Sequence, residues 1–370
     1  MARRGAAIAT ALVPQLAAAE PESDLEGRFA GSSFAAVRSS GLLTLNVPSS
    51  SGGLGEKLSG TLDTLRLLAQ GSPSTALMLS MHTSVLANLL IDADAVPSDQ
   101  RSAFQDRRDW AFAEAVAGRV FAVANSEAGA GGDVHNSRAS VAHGLLSGEK
   151  TFCSMGTNAH YFMAAARDES GKVEYHLVRN EPGSVHTSTP WRALGMRSSE
   201  SVSLSFDHAP VLGPLTYRGM LDGANNRHWA TLSFAAISIG IAESLLAEIV
   251  SPNATALQRT TAVEMHLSLQ ACRAFLAASA RREPPRATAE YLRTVRDCKT
   301  FVTRTLADQA TRAFTAQGGS AYRFSSAVSR KMRDLLAGPF LRPPVAIAFD
   351  AIWNDMASGD AESRGAAASP

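Results

Sequence analysis

"VANSEAGAGGDVHNSRAS" (Val123–Ser140) is followed, after a short gap, by "LSGEKTFCSMG" (Leu146–Gly156). Gly129, Gly131 and Gly132 make the first stretch a turn almost free of side chains, where backbone N–H groups can approach a ligand closely. The second is a β-type run that ends in small polar residues. Around both lie further runs of the same kind, "HYFMAAARD", "VEYHLVRN", "VHTSTPWRALGM" and "SVSLSFDHAPV", spaced by Gly, Asn, Asp and Pro. Residues 119–220 therefore read as a middle β domain, a small barrel or sandwich.

Working outward, the period changes on both sides. Residues 1–118 read as helical: Leu58, Leu62, Leu65 and Leu68 recur every three or four residues. "STALMLSMHTSVLANLLID" is apolar nearly all round, which marks a buried helix. "GLLTLNVPSSSGGLG" (Gly41–Gly55) reads as strand-like before a Ser/Gly turn. From about residue 221 to 355 three long helical patterns return, and a fourth is expected from about Ser325, giving a four-helix bundle. The Ala/Ser/Gly-rich stretch 356–370 reads as a disordered tail. The fold class is α+β.

With 370 residues, 35 basic against 34 acidic side chains and a net charge of +1, nothing points to nucleic acid. Pro14 and Gln15 interrupt the apolar N-terminal stretch, which reads as a first amphipathic helix rather than a signal peptide, and no run reaches the ~20 apolar residues of a membrane span. A cytoplasmic protein is expected. Cys153, Cys272 and Cys298 have no metal spacing and read as reduced thiols, and no His/Cys/Asp cluster implies a metal.

Five elements, in order, resemble those of the acyl-CoA dehydrogenase superfamily. They are Pro48 with Gly52, Gly53 and Gly55; "SEAGAGGD" (Ser126–Asp133), similar to TEPxAGSD; "GEKTFCSMG" (Gly148–Gly156), similar to GxKxxITxG; "WRALGMRSSESVSLSFDHAPV" (Trp191–Val211); and "QGGSAYRFSSAVSRKMRD" (Gln317–Asp334). The resemblance implies that FAD is the cofactor. It implies that Asn125 and Ser126 bind the flavin ring edge, Phe152 stacks near the ring in place of tryptophan, and Ser154 donates toward N5. Gly131 and Gly132 would leave room for the pyrophosphate and a thioester. Arg259, eleven residues before Gln270, and Gly318 and Gly319 would reach the cofactor of a neighbouring subunit, which implies a homodimer or homotetramer. Ala262 and Thr315 depart from the pattern there.

The family's catalytic glutamate takes an α-proton while a β-hydride goes to the flavin. Counting on from Asp334 to its place reaches Arg342, followed by Pro343 and Pro344, and a guanidinium is no base at neutral pH. The second place used in the family falls near Ala230, with no acidic residue between Asp222 and Glu243. The sequence therefore points to an oxygenase that uses reduced flavin, O₂ and an electron source such as a flavin reductase. Its substrate is expected to be an acyl- or aryl-CoA thioester or similar small molecule, as in the fold's oxygenase of tropone-antibiotic biosynthesis, within secondary metabolism. Two alternatives stand beside it: an acyl-CoA dehydrogenase with a displaced base, starting with Asp350 or Glu243, and a scaffold without catalysis. His82 and His135 are candidates for assisting oxygen chemistry.

Overall fold

The computed structural model describes residues 4–367, with side chains from residue 4 to 358. The N-terminal helices are α1 (Arg4–Glu26), α2 (Gly31–Ser39), α3 (Leu58–Gly71), α4 (Pro73–Ala87) and α5 (Arg101–Val116). Gly5, Ala9, Leu16, Glu20 and Asp24 line the buried face of α1, at the three- and four-residue spacing of one helical stripe. Every side chain of α4 is buried, because the helix lies between α6 (His228–Ile249) and β1 (Phe121–Ala124). Ser72 caps it, its Oγ accepting from Thr75 N at 3.2 Å. The strand expected between Gly41 and Gly55 is instead two short 3₁₀ turns, Leu42–Thr44 and Ser49–Ser51. Its apolar residues Leu42, Leu43, Leu45 and Val47 are buried without alternation, so burial rather than pairing explains the run.

The middle region carries six more strands: β2 (Ser140–Ala142), β3 (Leu145–Cys153), β4 (Tyr161–Arg167), β5 (Val173–Arg179), β6 (Val185–Thr189) and β7 (Val202–Pro214). β4 pairs with β5, β5 with β7, β7 with β3, and β3 with β2, all antiparallel. A single parallel pairing, Ser140 with Arg167, joins β2 back to β4 and closes the ring. β1 adds to β4 in parallel and β6 to β7. Closure removes the exposed edges that an open sheet would leave. Phe162 and Phe206 meet edge to face at 5.4 Å inside the barrel.

The bundle comprises α6, α7 (Ala256–Arg281), α8 (Ala289–Ala316) and α10 (Val345–Ala367). By length and hydropathy α6 could cross a membrane, but two thirds of its apolar window is buried in the fold (67%). Its crossing with α3 needs Gly240: a Cβ there would sit 2.0 Å from the Arg66 carbonyl oxygen. The fourth long helix expected from about Ser325 is broken. The short α9 (Ala327–Leu335) is followed by a 3₁₀ turn, Gly338–Phe340, and α10 begins only after Pro343 and Pro344. Proline fits a helix start and not its interior. The stretch expected as a tail continues α10 to Ala367, and residues 368–370 lie outside the described residues.

Barrel and bundle meet at "LGMRSS". A Cβ on Gly195 would sit 2.1 Å from the Arg333 carbonyl oxygen, so the two segments pass in direct backbone contact. Met196 N donates to Asp334 Oδ1 at 2.7 Å. Arg333 grips the buried Asp24 of α1 through both guanidinium nitrogens, at 3.0 and 2.5 Å. The Arg-Asp pair of α9 thus ties α1, the barrel and the bundle together.

Candidate functional site

Glu127 anchors the Gly-rich turn from behind. Its carboxylate accepts from Lys150 Nζ at 2.5 Å, Ser137 Oγ at 2.5 Å, Arg138 N at 2.8 Å and Ala139 N at 3.1 Å. Lys150 is completely buried and also donates to the Ala165 carbonyl. Burial alone would raise the carboxyl, but these donors hold it down to about 2, so Glu127 is ionised at neutral pH. The lysine of the GxK turn therefore serves architecture. In front of it, Gly129, Gly131 and Gly132 all have positive φ, 78°, 62° and 81°. At Gly131 an added Cβ would meet nothing within 4 Å, so conformation and not space requires glycine there; at Gly132 it would meet Ile347 of α10 at 2.7 Å.

Ser126 and Thr151 form an isolated bridge, Thr151 N donating to Ser126 O at 2.8 Å, which brings the turn beside the end of β3. There Phe152 takes a left-handed backbone, φ 56°, and the residue is 67% exposed. Both features are costly for an aromatic residue. Trp191 stands edge-on to that ring at 6.2 Å, and its Nε1 donates to the Met196 carbonyl at 2.9 Å. Leu194 is exposed as well. Ser154 is buried, its Oγ 2.8 Å from Ser201 Oγ.

Arg342 enters from the other side. Its Nε donates to Ser126 Oγ at 3.2 Å, so the serine keeps its own proton for another partner. Burial lowers its pKa, Tyr175 and Asp133 opposing, and the guanidinium stays charged at neutral pH. Lys299 of α8 fixes this segment by donating to the carbonyls of Leu341 and, at 2.8 Å, Pro343. The residue at the counted base position thus touches the turn, as a cation.

The remaining candidates fall elsewhere. Asn125 uses its Oδ1 to accept from Ala165 N at 3.0 Å on β4. His82 is fully buried and both ring nitrogens are taken: Nε2 lies 2.7 Å from the Leu43 carbonyl and Nδ1 accepts from Phe121 N at 3.1 Å. Burial first among causes lowers its pKa to about 4, so it is a neutral clamp between α4 and β1. His135 is exposed beside Asp222 at 3.5 Å, and Asp350 is exposed on α10. Glu243 is held by Arg66 and Gln70, each at 2.6 Å, and by Arg273 at 2.5 Å. Arg259 is exposed and donates to the Ala254 carbonyl; Gly318 and Gly319 lie in open space. Cys153 is buried and its thiol pushed up to about 12 by burial, so it is no nucleophile. Sequence reasoning did not single out Trp191, Ser199, Ser201 or Lys299. Three serines within "SSES", feeding a strand, were the one available signal.

The residues present fit a planar group with polar edges: an outward phenyl ring backed by Trp191, a serine proton with no acceptor among the described residues, a nearby cation and an open backbone turn. No family model matches the chain. Solved structures resemble it over nearly its whole length. A butyryl-CoA dehydrogenase from Megasphaera elsdenii covers 96% of this chain and 98% of its own, at TM-score 0.77 and 18% identity. The chain has the acyl-CoA dehydrogenase fold. KijD3, solved with FMN and a dTDP-linked amino keto sugar, shares this fold at TM-score 0.80 and 23% identity, covering 96% of this chain and 94% of that one. Among curated proteins, an L-evernosamine nitrososynthase of Micromonospora sp. is 31% identical over 206 residues, 54% of this chain. A probable FMNH2-dependent monooxygenase of Pseudomonas putida is 27% identical over 262 residues, 66% of this chain. The chain spans 48% and 61% of the lengths of these two relatives. A putative acyl-CoA dehydrogenase of Bacillus subtilis is 26% identical over 373 residues, 92% of each chain. The acyl-CoA dehydrogenase fold thus brings relatives named for oxygen chemistry and for dehydrogenation, and the site must separate them.

Proposed function

We propose that this chain is a flavin-dependent oxygenase, taking reduced flavin and O₂ to a small organic substrate. One observation carries the choice over desaturation: the counted base position holds Arg342, and its side chain touches Ser126. Removal of an α-proton needs a carboxylate within hydrogen-bond reach of it. Glu243 is spent on three partners and Asp350 is exposed, which supports the same reading. We take FMN in place of the FAD that the sequence resemblance implied. The relatives' names speak for FMN, and Arg259, the expected pyrophosphate contact, is bonded to its own chain at Ala254.

When bound, reduced flavin supplies the two electrons with which one oxygen atom of O₂ leaves as water while the other goes to the substrate. The chain's own residues hold and orient it. Phe152 and Trp191 offer the apolar wall, Ser126 a donor, and Arg342 a positive charge suited to an anionic ligand. The Gly129–Gly132 turn offers backbone N–H groups. The electrons come from a separate flavin reductase. Acyl- and aryl-CoA thioesters and amino sugars, the substrate class in the nitrososynthases' names, are the classes to try first.

The test is anaerobic mixing of the FMN-loaded protein with saturated acyl-CoAs, followed by O₂ uptake with reduced FMN and each substrate class. General-base catalysis is worth roughly 10²–10⁴-fold, so its loss is measurable. No anaerobic bleaching, with substrate-dependent O₂ uptake, is expected. Anaerobic bleaching with formation of the 2-enoyl product overturns the reading.

A further inference from the structure

Three connecting segments converge on one cavity, and each brings an arginine. Arg101 opens α5, Arg218 lies between β7 and α6, and Arg286 lies between α7 and α8. Together they line a cavity of about 550 Å³, none of whose lining residues belongs to the Gly-rich turn, to β3 or to the Arg342 segment.

The wall of this cavity is held from several sides. Gln100 Oε1 accepts from Arg218 N at 2.8 Å, which ties the first segment to the second. Both Glu174 oxygens accept from Gly219 N at 2.9 Å, which ties the second to β5. The buried Tyr217 donates its hydroxyl to the Ala224 carbonyl at 3.0 Å, and a Cβ on Gly223 would sit 2.4 Å from that hydroxyl. The loop from Tyr217 to Ala224 is thus closed on itself, with glycine required where it passes the phenol oxygen.

Charge is what the cavity leaves unmatched. Asp94 is the one carboxylate in its lining, and it lies 3.5 Å from Arg101. Arg101 also donates from Nε to the Val96 carbonyl at 3.1 Å, so its own loop holds it. The Arg218 and Arg286 side chains have no hydrogen-bond or ion-pair partner among the described residues. Asp168 and Glu174 feel the Arg218 charge without pairing with it. A guanidinium stays protonated at neutral pH, so these like charges find no relief by losing a proton. The positive end of α5 adds to them, because Gln100 is spent on Arg218 and does not cap the helix.

We propose that this cavity binds the phosphate or diphosphate group of a small organic molecule. Guanidinium forks match phosphate oxygens, and three of them arriving from three segments suit a tetrahedral group better than a flat carboxylate. The volume exceeds what an inorganic ion fills and falls in the usual range for small ligands, about 300–1,000 Å³. Val96, Pro97 and Ala224 give an attached organic part an apolar wall. Asp222, in the same loop, lies 3.5 Å from His135, just past the Gly-rich turn, so the cavity adjoins the flavin region. Two sources share this chemistry, the phosphorylated end of the substrate and a free phosphorylated effector.

Calorimetric titration of inorganic pyrophosphate into the FMN-loaded protein at low salt tests the site apart from the flavin. One equivalent should bind, more weakly as salt rises. Arg218→Gln and Arg286→Gln should each weaken it about tenfold, the effect of one charge-assisted hydrogen bond. Arg304→Gln removes the same charge from an exposed position roughly 20 Å along α8 and should change nothing. Ser98→Glu sets a negative charge in the lining, should abolish binding, and decides the matter if an arginine variant does not fold. No binding, or equal binding in Arg218→Gln, Arg286→Gln and Arg304→Gln, overturns the proposal. Oxygen uptake with reduced FMN then assigns the source, an arm that rests on the oxygenase reading above. For a phosphorylated substrate, pyrophosphate competes and Arg286→Gln raises KM with kcat unchanged. For a separate effector, pyrophosphate changes the uptake seen with an unphosphorylated substrate. Protein that takes up no FMN but still binds pyrophosphate through Arg218 and Arg286 overturns the flavin reading and leaves this site standing.

Discussion

Phe152 brings together a backbone φ of 56° and an exposure of 67%, and neither serves the isolated chain. Strain of this kind costs of order 1–3 kcal/mol and persists where the surroundings fix it, which is characteristic of binding sites. Removing the ring should therefore separate binding from stability. Phe152→Ala is expected to lose roughly 3–10-fold in FMN affinity, in line with about 0.5–1.5 kcal/mol for an aromatic contact. Phe152→Gly should lose the same contact yet melt at or above the unaltered protein, because glycine accepts the positive φ. Titration and thermal melting of both variants check this; parallel losses of affinity and stability would make Phe152 an ordinary core residue. Phe152 and Ser126 were legible in the sequence because each lies inside a short motif. Ser201 was not, since it meets Ser154 only through the pairing of Cys153 with Val202 across β3 and β7. His82 shows the reverse: its apolar helix announced burial, but nothing local announced two backbone partners from Leu43 and Phe121.

At the scale of elements, the Gly-rich turn owes its position to the Glu127–Lys150 pair behind it. Both side chains are buried, 4% and 0% exposed, and four donors converge on one carboxylate. Glu127→Gln would leave the buried Lys150 without its counter-charge, at a cost of about 3–5 kcal/mol. Urea unfolding should show that loss at pH 7. The Glu127 carboxyl is depressed to about 2 in the fold against 4.5 for the ordinary group. Its contribution is therefore complete above pH 4.5 and fades as pH falls toward 2. Near pH 2 the variant and the unaltered protein should converge; a constant gap down to that pH would show that the pair is not the cause. Lys150 lies in the GxK motif and Glu127 in SEAGAGGD, but neither motif singles them out. Their contact was not legible, because twenty-three residues separate them and the barrel alone brings them together. The break between α9 and α10 was written locally in Pro343 and Pro344, whereas the helical stripe around them suggested one continuous element.

At the scale of the whole molecule, the junction of α1, the barrel and α9 carries more buried acid than base. Burial, with the nearby Asp334 charge, pushes the Glu20 carboxyl up to about 8. Burial likewise raises Asp334 to about 7. The folded chain thus keeps protons that the unfolded chain releases near pH 4–4.5, so stability falls as pH rises from about 4.5 to 8. Glu20→Gln should flatten this decline and raise the melting temperature at pH 8 more than at pH 5. Equal shifts at both pH values would remove Glu20 as the source.

The outer surface of the bundle sets the last expectation. Leu257 and Leu267 on α7, 62% exposed each, Phe340 before α10, 78%, and Trp353 on α10, 70%, stand outward from a chain whose other large apolar side chains mostly face inward. Met265, Leu269, Cys272 and Leu276 already fill the inner face of α7, so its outer leucines are not needed for the bundle core. Exposed apolar side chains of this size are what an association surface would cover. We expect a homodimer or homotetramer that buries these residues, and light scattering after size exclusion should find no monomer at micromolar concentration. Leu267→Lys combined with Trp353→Lys should disperse it while leaving its circular dichroism unchanged, since both side chains lie outside the core. FMN affinity of the dispersed protein then separates two arrangements. Retained affinity means that one chain carries a whole site, as Ser126, Phe152 and Arg342 in a single chain suggest. Lost affinity with intact secondary structure means that a second copy completes the site, and Arg259 and Gly319 are then the first residues to substitute.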